Sequence, residues 1–171
     1  SLLTSPEAVL SRRQKELGVV CVDIGSSCTG LAVYEEGVLR HACIIPVGGE
    51  YVTSDIALGV RVSVDIAEKL KTDYVDLTFC DQSKPKDEEI VLSRIDKKET
   101  ETVSKLYLSQ IAQARYKEIL SLVNQELKRL GRDGMLPEGA VFVGGGSKAR
   151  NLIDLAKGEL RLPCTIGFPE D

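Results

Sequence analysis

Val19-Val-Cys-Val22 is a continuous apolar run, and it constrains the fold more than any other feature of the chain. A strand with one wet face alternates apolar and polar residues. Four consecutive apolar residues demand burial on both faces, and so a sheet covered by helices. The run opens the stretch from Gly18 to Tyr34, which reads as a strand, a turn of small residues and a second apolar strand. The turn holds Gly25, Ser26, Ser27, Cys28, Thr29 and Gly30, with Asp23 just before it. Backbone N–H groups and hydroxyls in such a turn can approach an anion, beside a carboxylate able to act through a bound cation. The same residues also suit a plain β-hairpin whose small side chains only make the turn tight. The stretch alone leaves both readings open.

The rest of the chain alternates elements around it. Ser5 to Leu17 reads as a connecting helix with Ser5 as cap and Pro6 at the first helical position. Val38 to Val47 forms a third strand, so that 18–47 make a meander. Thr53 or Ser54 caps a short helix closed by Gly59, and Ser63 caps a second helix, Val64 to Lys71. On that second helix Ile66, Ala67 and Leu70 make the apolar face, while Glu68 and Lys71 share another, where the plain alternative is a solvated ion pair. A polar loop from Asp81 leads to a strand over Glu89 to Ile95. Ser104 caps the longest helix, which runs to Leu130 with Ile111, Ile119, Val123 and Leu127 at helical spacing. The final block is a strand (Ala140 to Val143), three glycines, a helix capped by Ser147, and a strand at Pro163 to Ile166. This order predicts an α/β fold with a mixed sheet.

Composition removes several function classes. With 22 Lys and Arg against 26 Asp and Glu, the net charge of −4 offers no basic surface for nucleic acid. No apolar run approaches the roughly 18 residues that span a bilayer. Cys21, Cys28, Cys43, Cys80 and Cys164 form no Cys-x-x-Cys pair and read as reduced thiols. One histidine with no acid at helical spacing predicts no transition-metal site. The chain begins at Ser1, its one methionine is Met135, and it reads as a piece of something longer.

Two blocks, 23–30 and 143–147, share the pattern of a strand running into a glycine-rich turn. The second opens a helix, where unpaired N–H groups lie beside glycines that admit a ligand. Gly144-Gly-Gly-Ser-Lys148 lacks the spacing of a P-loop, and three glycines also serve as plain punctuation between strand and helix. Two such turns in one α/β chain, with Glu68 and Lys71, predict a nucleotide cleft.

The motifs also fall in a recognisable order. They are Val22-Asp-Ile-Gly25 with Thr29, then Leu39-Arg-His-Ala42 leading to Ile45-Pro46-Val47-Gly48, then Val52-Thr-Ser-Asp-Ile-Ala57. Ala67-Glu-Lys-Leu-Lys71, Ala114-Arg-Tyr-Lys-Glu-Ile119, Gly144-Gly-Gly-Ser147 and Leu162-Pro163 with Ile166-Gly167 follow. In this order the chain resembles the second half of the FtsA family of bacterial cell-division proteins, from about Leu17 to Pro169. The resemblance implies an actin-like (ribonuclease H-like) ATPase fold. Residues 1–17 would connect, 18–49 and 136–171 would form a large nucleotide-binding subdomain, and 50–135 a smaller inserted α+β lobe.

The resemblance also implies roles. Asp23 would stand near Mg²⁺ and the phosphates of ATP, with Gly25, Ser26, Ser27 and Thr29 in the phosphate loop. Glu68 and Lys71 would contact ribose and base, and Gly144, Gly145, Gly146 and Ser147 would form the adenosine motif. Arg115 would lie where the inserted lobe takes the C-terminal tail of the tubulin-like partner FtsZ; its plainer reading is an ion pair with Glu118. The family links FtsZ filaments to the inner face of the cell membrane at the division site and self-associates into filaments. This chain would be cytoplasmic and reach the membrane only through a segment outside it.

Two departures bear on chemistry. The family's Asp-Ile-Gly-Gly-Gly-Thr-Thr-Asp loop is here Asp23-Ile-Gly-Ser-Ser-Cys-Thr-Gly30, with serines at two glycine positions and no closing acid. The family's Lys-x-x-His-Gly after the second nucleotide helix is replaced by Thr72-Asp-Tyr-Val75. Weak or absent nucleotide binding, and no hydrolysis, are expected of this chain alone. The alternatives are a non-catalytic actin-like scaffold and a PilM-like ATPase of pilus or secretion assembly.

Overall fold

The computed structural model describes residues 4–78 and 87–168. β1 (Val19–Ile24) is the central strand of a five-stranded sheet ordered β3-β2-β1-β6-β7. β2 (Thr29–Glu35) runs antiparallel to β1, and β3 (Val38–Ile45) antiparallel to β2. β6 (Ala140–Val143) lies parallel to β1, and β7 (Cys164–Ile166) parallel to β6. The α/β class and the mixed sheet flanked by helices are as the sequence predicts.

The apolar run at β1 is buried on both faces. Val20, Val22 and Ile24 point into the larger core with Leu31, Val33 and Phe142. Val19 and Cys21 point the other way and pack with Ala32, Tyr34, Val141, Val143 and Leu10. Leu10 follows α1 (Thr4–Val9), which is separated from α2 (Arg12–Leu17). The single connecting helix expected over Ser5 to Leu17 is therefore two short ones. Ser5 lies inside the first, and Ser11 caps the second, taking the Gln14 N–H while Gln14 Oε1 takes its own.

Between β3 and β6 stand α3 (Gly49–Val60), α4 (Val64–Tyr74), the hairpin β4 (Glu89–Val91) and β5 (Thr102–Ser104), and α5 (Lys105–Arg129). α5 buries Leu108, Ala112, Tyr116, Ile119, Leu120, Val123 and Leu127, spaced by one, three or four residues, which is one helical face. These residues join the sheet's larger core, so the segment between β3 and β6 and the sheet share one hydrophobic cluster. Ser104 caps α5 and Ser63 caps α4 as expected, although α4 continues to Tyr74.

Several boundaries differ from expectation for physical reasons. α3 starts at Gly49, not after Thr53 or Ser54, because its cap is tertiary. Gly49 and Glu50 N–H donate to the Gly25 and Ser26 carbonyls at 2.8 and 2.9 Å. Gly59 lies inside that helix, against Ile111. The strand expected over Glu89 to Ile95 is three residues followed by a 3₁₀ turn (Leu92–Arg94), and β5 has too short an apolar signal to be read. Ser147 does not cap the last helix. It closes a 3₁₀ turn (Gly145–Lys148), and α6 (Leu152–Leu160) begins after Asn151. The polar loop from Asp81 lies outside the described residues up to 86, as does Cys80. No helix among the described residues is long and apolar enough to cross a membrane.

Candidate functional site

The β1–β2 turn is closed by its own backbone, with Gly25 N–H on the Cys28 carbonyl at 3.0 Å. Its other carbonyls, at Gly25 and Ser26, face the start of α3 and take the two N–H bonds described above. Gly48 makes that approach feasible: a Cβ there would stand 2.6 Å from the carbonyl oxygens of both Gly25 and Ser26. Thr29 is buried, and its hydroxyl donates to the Val47 carbonyl at 2.7 Å, pinning the end of β3 to the turn. Ser26 and Ser27 are exposed, and neither adopts a positive φ. The serines therefore sit in the turn without the backbone strain that a left-handed conformation would impose.

The second turn packs directly on the first. Asp23 at the end of β1 stands opposite Val143 in the parallel register. Gly144 follows with φ 89, and a Cβ there would collide with Asp23 Oδ1 and stand 2.5 Å from the Ile24 carbonyl oxygen. Only glycine fits. Gly146 presses on Ile24, whereas Gly145 has no atom within 4 Å of where a Cβ would be. Ser147 Oγ donates back to the Val143 carbonyl at 2.5 Å and is buried.

The third wall comes from α3, α4 and α5. Lys71 Nζ donates to Thr53 Oγ1 at 2.9 Å, pairs with Glu68 Oε2 at 2.9 Å, and reaches the Gly49 carbonyl at 3.3 Å. Thr53 in turn donates to Glu68 Oε2 at 2.5 Å. Burial pulls the Glu68 carboxyl upward, but the hydrogen bonds from Thr53 and Lys71 and the Lys71 charge outweigh it and hold the group below its usual range. Tyr116 on α5 is buried, donates its hydroxyl to the Gly146 carbonyl at 3.0 Å, and has a pKa raised to about 12 by burial and the Glu68 charge.

These walls enclose a cleft of about 460 Å³. Gly25, Ser26, Glu68, Lys71, Gly145 and Gly146 line it together. Lys148 and Arg150 add two cations, and Glu50 and Tyr116 are also among the lining residues. A clamp holds the Arg150 segment in place. Asp76 accepts Asn151 Nδ2 at 2.7 Å and both the N–H and hydroxyl of Thr78, while Leu77 N–H donates to the Arg150 carbonyl. Burial raises the Asp76 carboxyl, but these hydrogen bonds, with the Arg150 charge, keep it below its usual range.

The family model described as "Cell division protein FtsA" matches residues 20–171. The chain belongs to the FtsA family. It is 35% identical over 169 residues to the cell division protein FtsA of Pseudomonas aeruginosa, covering 98% of this chain and 40% of that protein. It thus spans well under half the length of that FtsA. The fold is shared with MreB5 of Spiroplasma citri bound to ADP, at a TM-score of 0.71 and 20% identity over 91% of this chain and 50% of that one. It is also shared with the PilM-PilN type IV pilus biogenesis complex, at a TM-score of 0.65 and 17% identity over 91% of this chain and 37% of that one. The neighbours bear out the actin-like fold class.

In this FtsA-family chain, six of the residues singled out from sequence line one cleft: Gly25, Ser26, Glu68, Lys71, Gly145 and Gly146. Asp23 and Gly144 stand against each other and are not among its lining residues. Thr29 and Ser147 commit their hydroxyls to backbone carbonyls, and Ser27 is an exposed part of the turn. Arg115 lies outside the cleft, bound bidentately to Asp55 at 2.7 and 3.0 Å, to Glu118 at 2.8 Å, and with its guanidinium 5.7 Å from the Tyr51 ring centre. Sequence reasoning missed Thr53 as a site residue, Tyr116, Lys148 and Arg150. The last two stand two and four residues after the triple glycine, which was the available signal; Tyr116 reaches the cleft, and Thr53 reaches Glu68 and Lys71, only through helix packing.

Proposed function

We propose that this chain is one wall of an ATP cleft in an FtsA-type actin-fold protein that links FtsZ filaments to the membrane during bacterial cell division. The observation that carries the reading is that Glu68 and Lys71, joined through Thr53, line the same cleft of about 460 Å³ as Gly145 and Gly146. The donor set fits an adenine nucleotide. Ionised Glu68 accepts from ribose hydroxyls, Lys71 donates toward the nucleoside, and open Gly145 admits a flat ring against the backbone. Lys148, Arg150 and the Ser26 hydroxyl supply charge and donors for phosphates, and Asp23 would act on Mg²⁺ through its water shell. When bound, Mg-ATP supplies the phosphoanhydride that an actin-type site cleaves between two domains. The residues here hold and orient one side of it.

Isothermal titration tests this. The chain alone is expected to bind Mg-ATP weakly and release no phosphate, whereas the full-length protein binds it, with affinity reduced tenfold or more by Lys71→Ala. Micromolar binding or phosphate release by the chain alone sinks the half-site reading; an unchanged affinity in the variant sinks the cleft.

The FtsZ tail is assigned to the inserted lobe, beside Arg115. Because Arg115 is tied to Asp55, Arg115→Glu also perturbs packing. The paired exchange Asp55→Arg with Arg115→Asp keeps the ion pair and moves the cation. Loss of tail binding in the exchange supports a direct contact, and full retention overturns it. A non-catalytic scaffold is the second reading, favoured by Gly30, which stands buried in β2 where the family's loop carries an acid.

A further inference from the structure

His41, Cys43 and Glu126 meet at the seam between β3 and the last turns of α5, and none of them lines the nucleotide cleft. His41 and Cys43 are two apart on β3 and project from one face, the face on which Ile45 enters the core. Glu126 precedes buried Leu127 and follows Val123 by three residues, so α5 carries it toward the strand. A ring nitrogen, the thiol sulfur and a carboxylate oxygen all lie within 4.8 Å of one another. His41 Nε2 is closed off from solvent and makes no hydrogen bond, with Glu126 Oε2 at 3.5 Å. Arg129 holds the other oxygen of that carboxylate, Oε1, at 3.2 Å, which leaves Oε2 turned to the histidine.

Buried imidazole nitrogens are ordinarily hydrogen-bonded, and one without a bond invites a ligand. The three donors are nitrogen, sulfur and oxygen, with a fourth direction left for water. That is the donor set of a tetrahedral zinc site with one open position. Mg²⁺ and Ca²⁺ prefer all-oxygen shells, and a thiolate selects a softer cation. We propose that His41, Cys43 and Glu126 bind a thiophilic divalent cation of the zinc type, cross-linking β3 to α5. Donors around tetrahedral zinc stand roughly 3.3–3.7 Å apart, so small rotamer changes close the set.

Binding is a ligand exchange without redox. The Cys43 S–H proton passes to solvent as the metal–sulfur bond forms, neutral His41 gives its Nε2 lone pair, and Glu126 coordinates as the anion. Burial and the Glu126 charge raise the Cys43 thiol pKa, with Arg129 opposing them, so the affinity rises with pH. The Arg129 guanidinium opposes the metal, and at 77% exposure it is well screened by water. The consequence is mechanical: β3, which has a sheet neighbour on one side only among the described residues, gains a second attachment.

Titration of the reduced, metal-stripped chain with Co²⁺ tests the site. A thiolate-to-cobalt charge-transfer band and intense tetrahedral visible bands are expected to saturate at one equivalent and to be displaced by Zn²⁺. Cys43→Ser is expected to abolish the charge-transfer band, while Cys28→Ser keeps it. Glu126→Gln, which retains the thiol and the side-chain volume, is expected to weaken Zn²⁺ at least tenfold in competition with a chromophoric chelator. Absence of the band from the parent, its persistence in Cys43→Ser, or an unchanged Zn²⁺ affinity in Glu126→Gln would each overturn the proposal.

Discussion

The hydroxyl of Tyr116 donates to the carbonyl oxygen of Gly146 at 3.0 Å, tying the middle of the longest helix to the second glycine turn. The tyrosine is buried and held neutral by a pKa near 12, so the bond persists across the whole physiological range. Tyr116→Phe keeps the ring and removes this bond. The expected loss is about 1 kcal/mol of stability, with the Gly146 carbonyl left unpaired, read as a lowered urea midpoint. Full-length protein carrying it should also bind nucleotide more weakly, because the turn loses its anchor.

Glu68 gives a pH signature. Its folded pKa lies below the unfolded value, so its stabilising contribution is fully present above the ordinary carboxylate pKa of about 4.3 and disappears as the pH falls through the folded pKa. Urea midpoints of the parent and Glu68→Gln should differ at neutral pH and begin to converge once the pH falls below the ordinary carboxylate pKa of about 4.3. A gap that is constant with pH would show that the carboxylate's charge is not what stabilises the wall. Thr53→Val should shrink the gap, since it removes the hydroxyl that donates to Glu68.

The two neighbouring glycines make a matched pair. Gly144→Ala forces a side chain into a positive φ and onto Asp23, and is expected to cost at least about 2 kcal/mol. Gly145→Ala meets open space and should change stability by no more than roughly 0.5 kcal/mol, while placing a methyl in the cleft. Thermal melts of both variants, with nucleotide titration of the second in the full-length protein, separate a fold role from a ligand role.

Restoring glycine at the β1–β2 turn should not stabilise it. Ser26 and Ser27 adopt ordinary negative φ, so Ser26→Gly and Ser27→Gly lose only through added freedom of the unfolded chain, about 0.5–1 kcal/mol each. A rise in melting temperature for either would mean that the serines are strained after all.

Much of this was legible in the chain. The strands at Val19, Leu31 and Ala140, the helices capped by Ser63 and Ser104, and the inner face of α5 follow from apolar period and local hydrogen bonding, which neighbouring residues settle between themselves. Thr29 and Gly30, read as turn, belong instead to β2, where pairing with Ile24 and Asp23 extends the strand. Glu68 and Lys71 were legible as a pair because three residues apart is a fixed distance on a helix. Boundaries failed where the partner was remote. α3 starts early because its cap is the carbonyl pair of Gly25 and Ser26, more than 20 residues upstream. Ser147 fails as a cap because the strand carbonyl at Val143 takes its hydroxyl.

The site divides in the same way. Local pattern sets which turns are small, where acids and cations fall on one helix, and that β1 must be covered on both faces. Packing alone brings Thr53 between Glu68 and Lys71, lays Tyr116 on Gly146, turns Arg115 to Asp55 rather than to the cleft, and gathers His41, Cys43 and Glu126 at one seam. Period and propensity act over a few residues, whereas these contacts join side chains 15 to 85 positions apart, as in Thr53 with Glu68 and His41 with Glu126. Such contacts exist only once the sheet and the helices between β3 and β6 have closed on a common core.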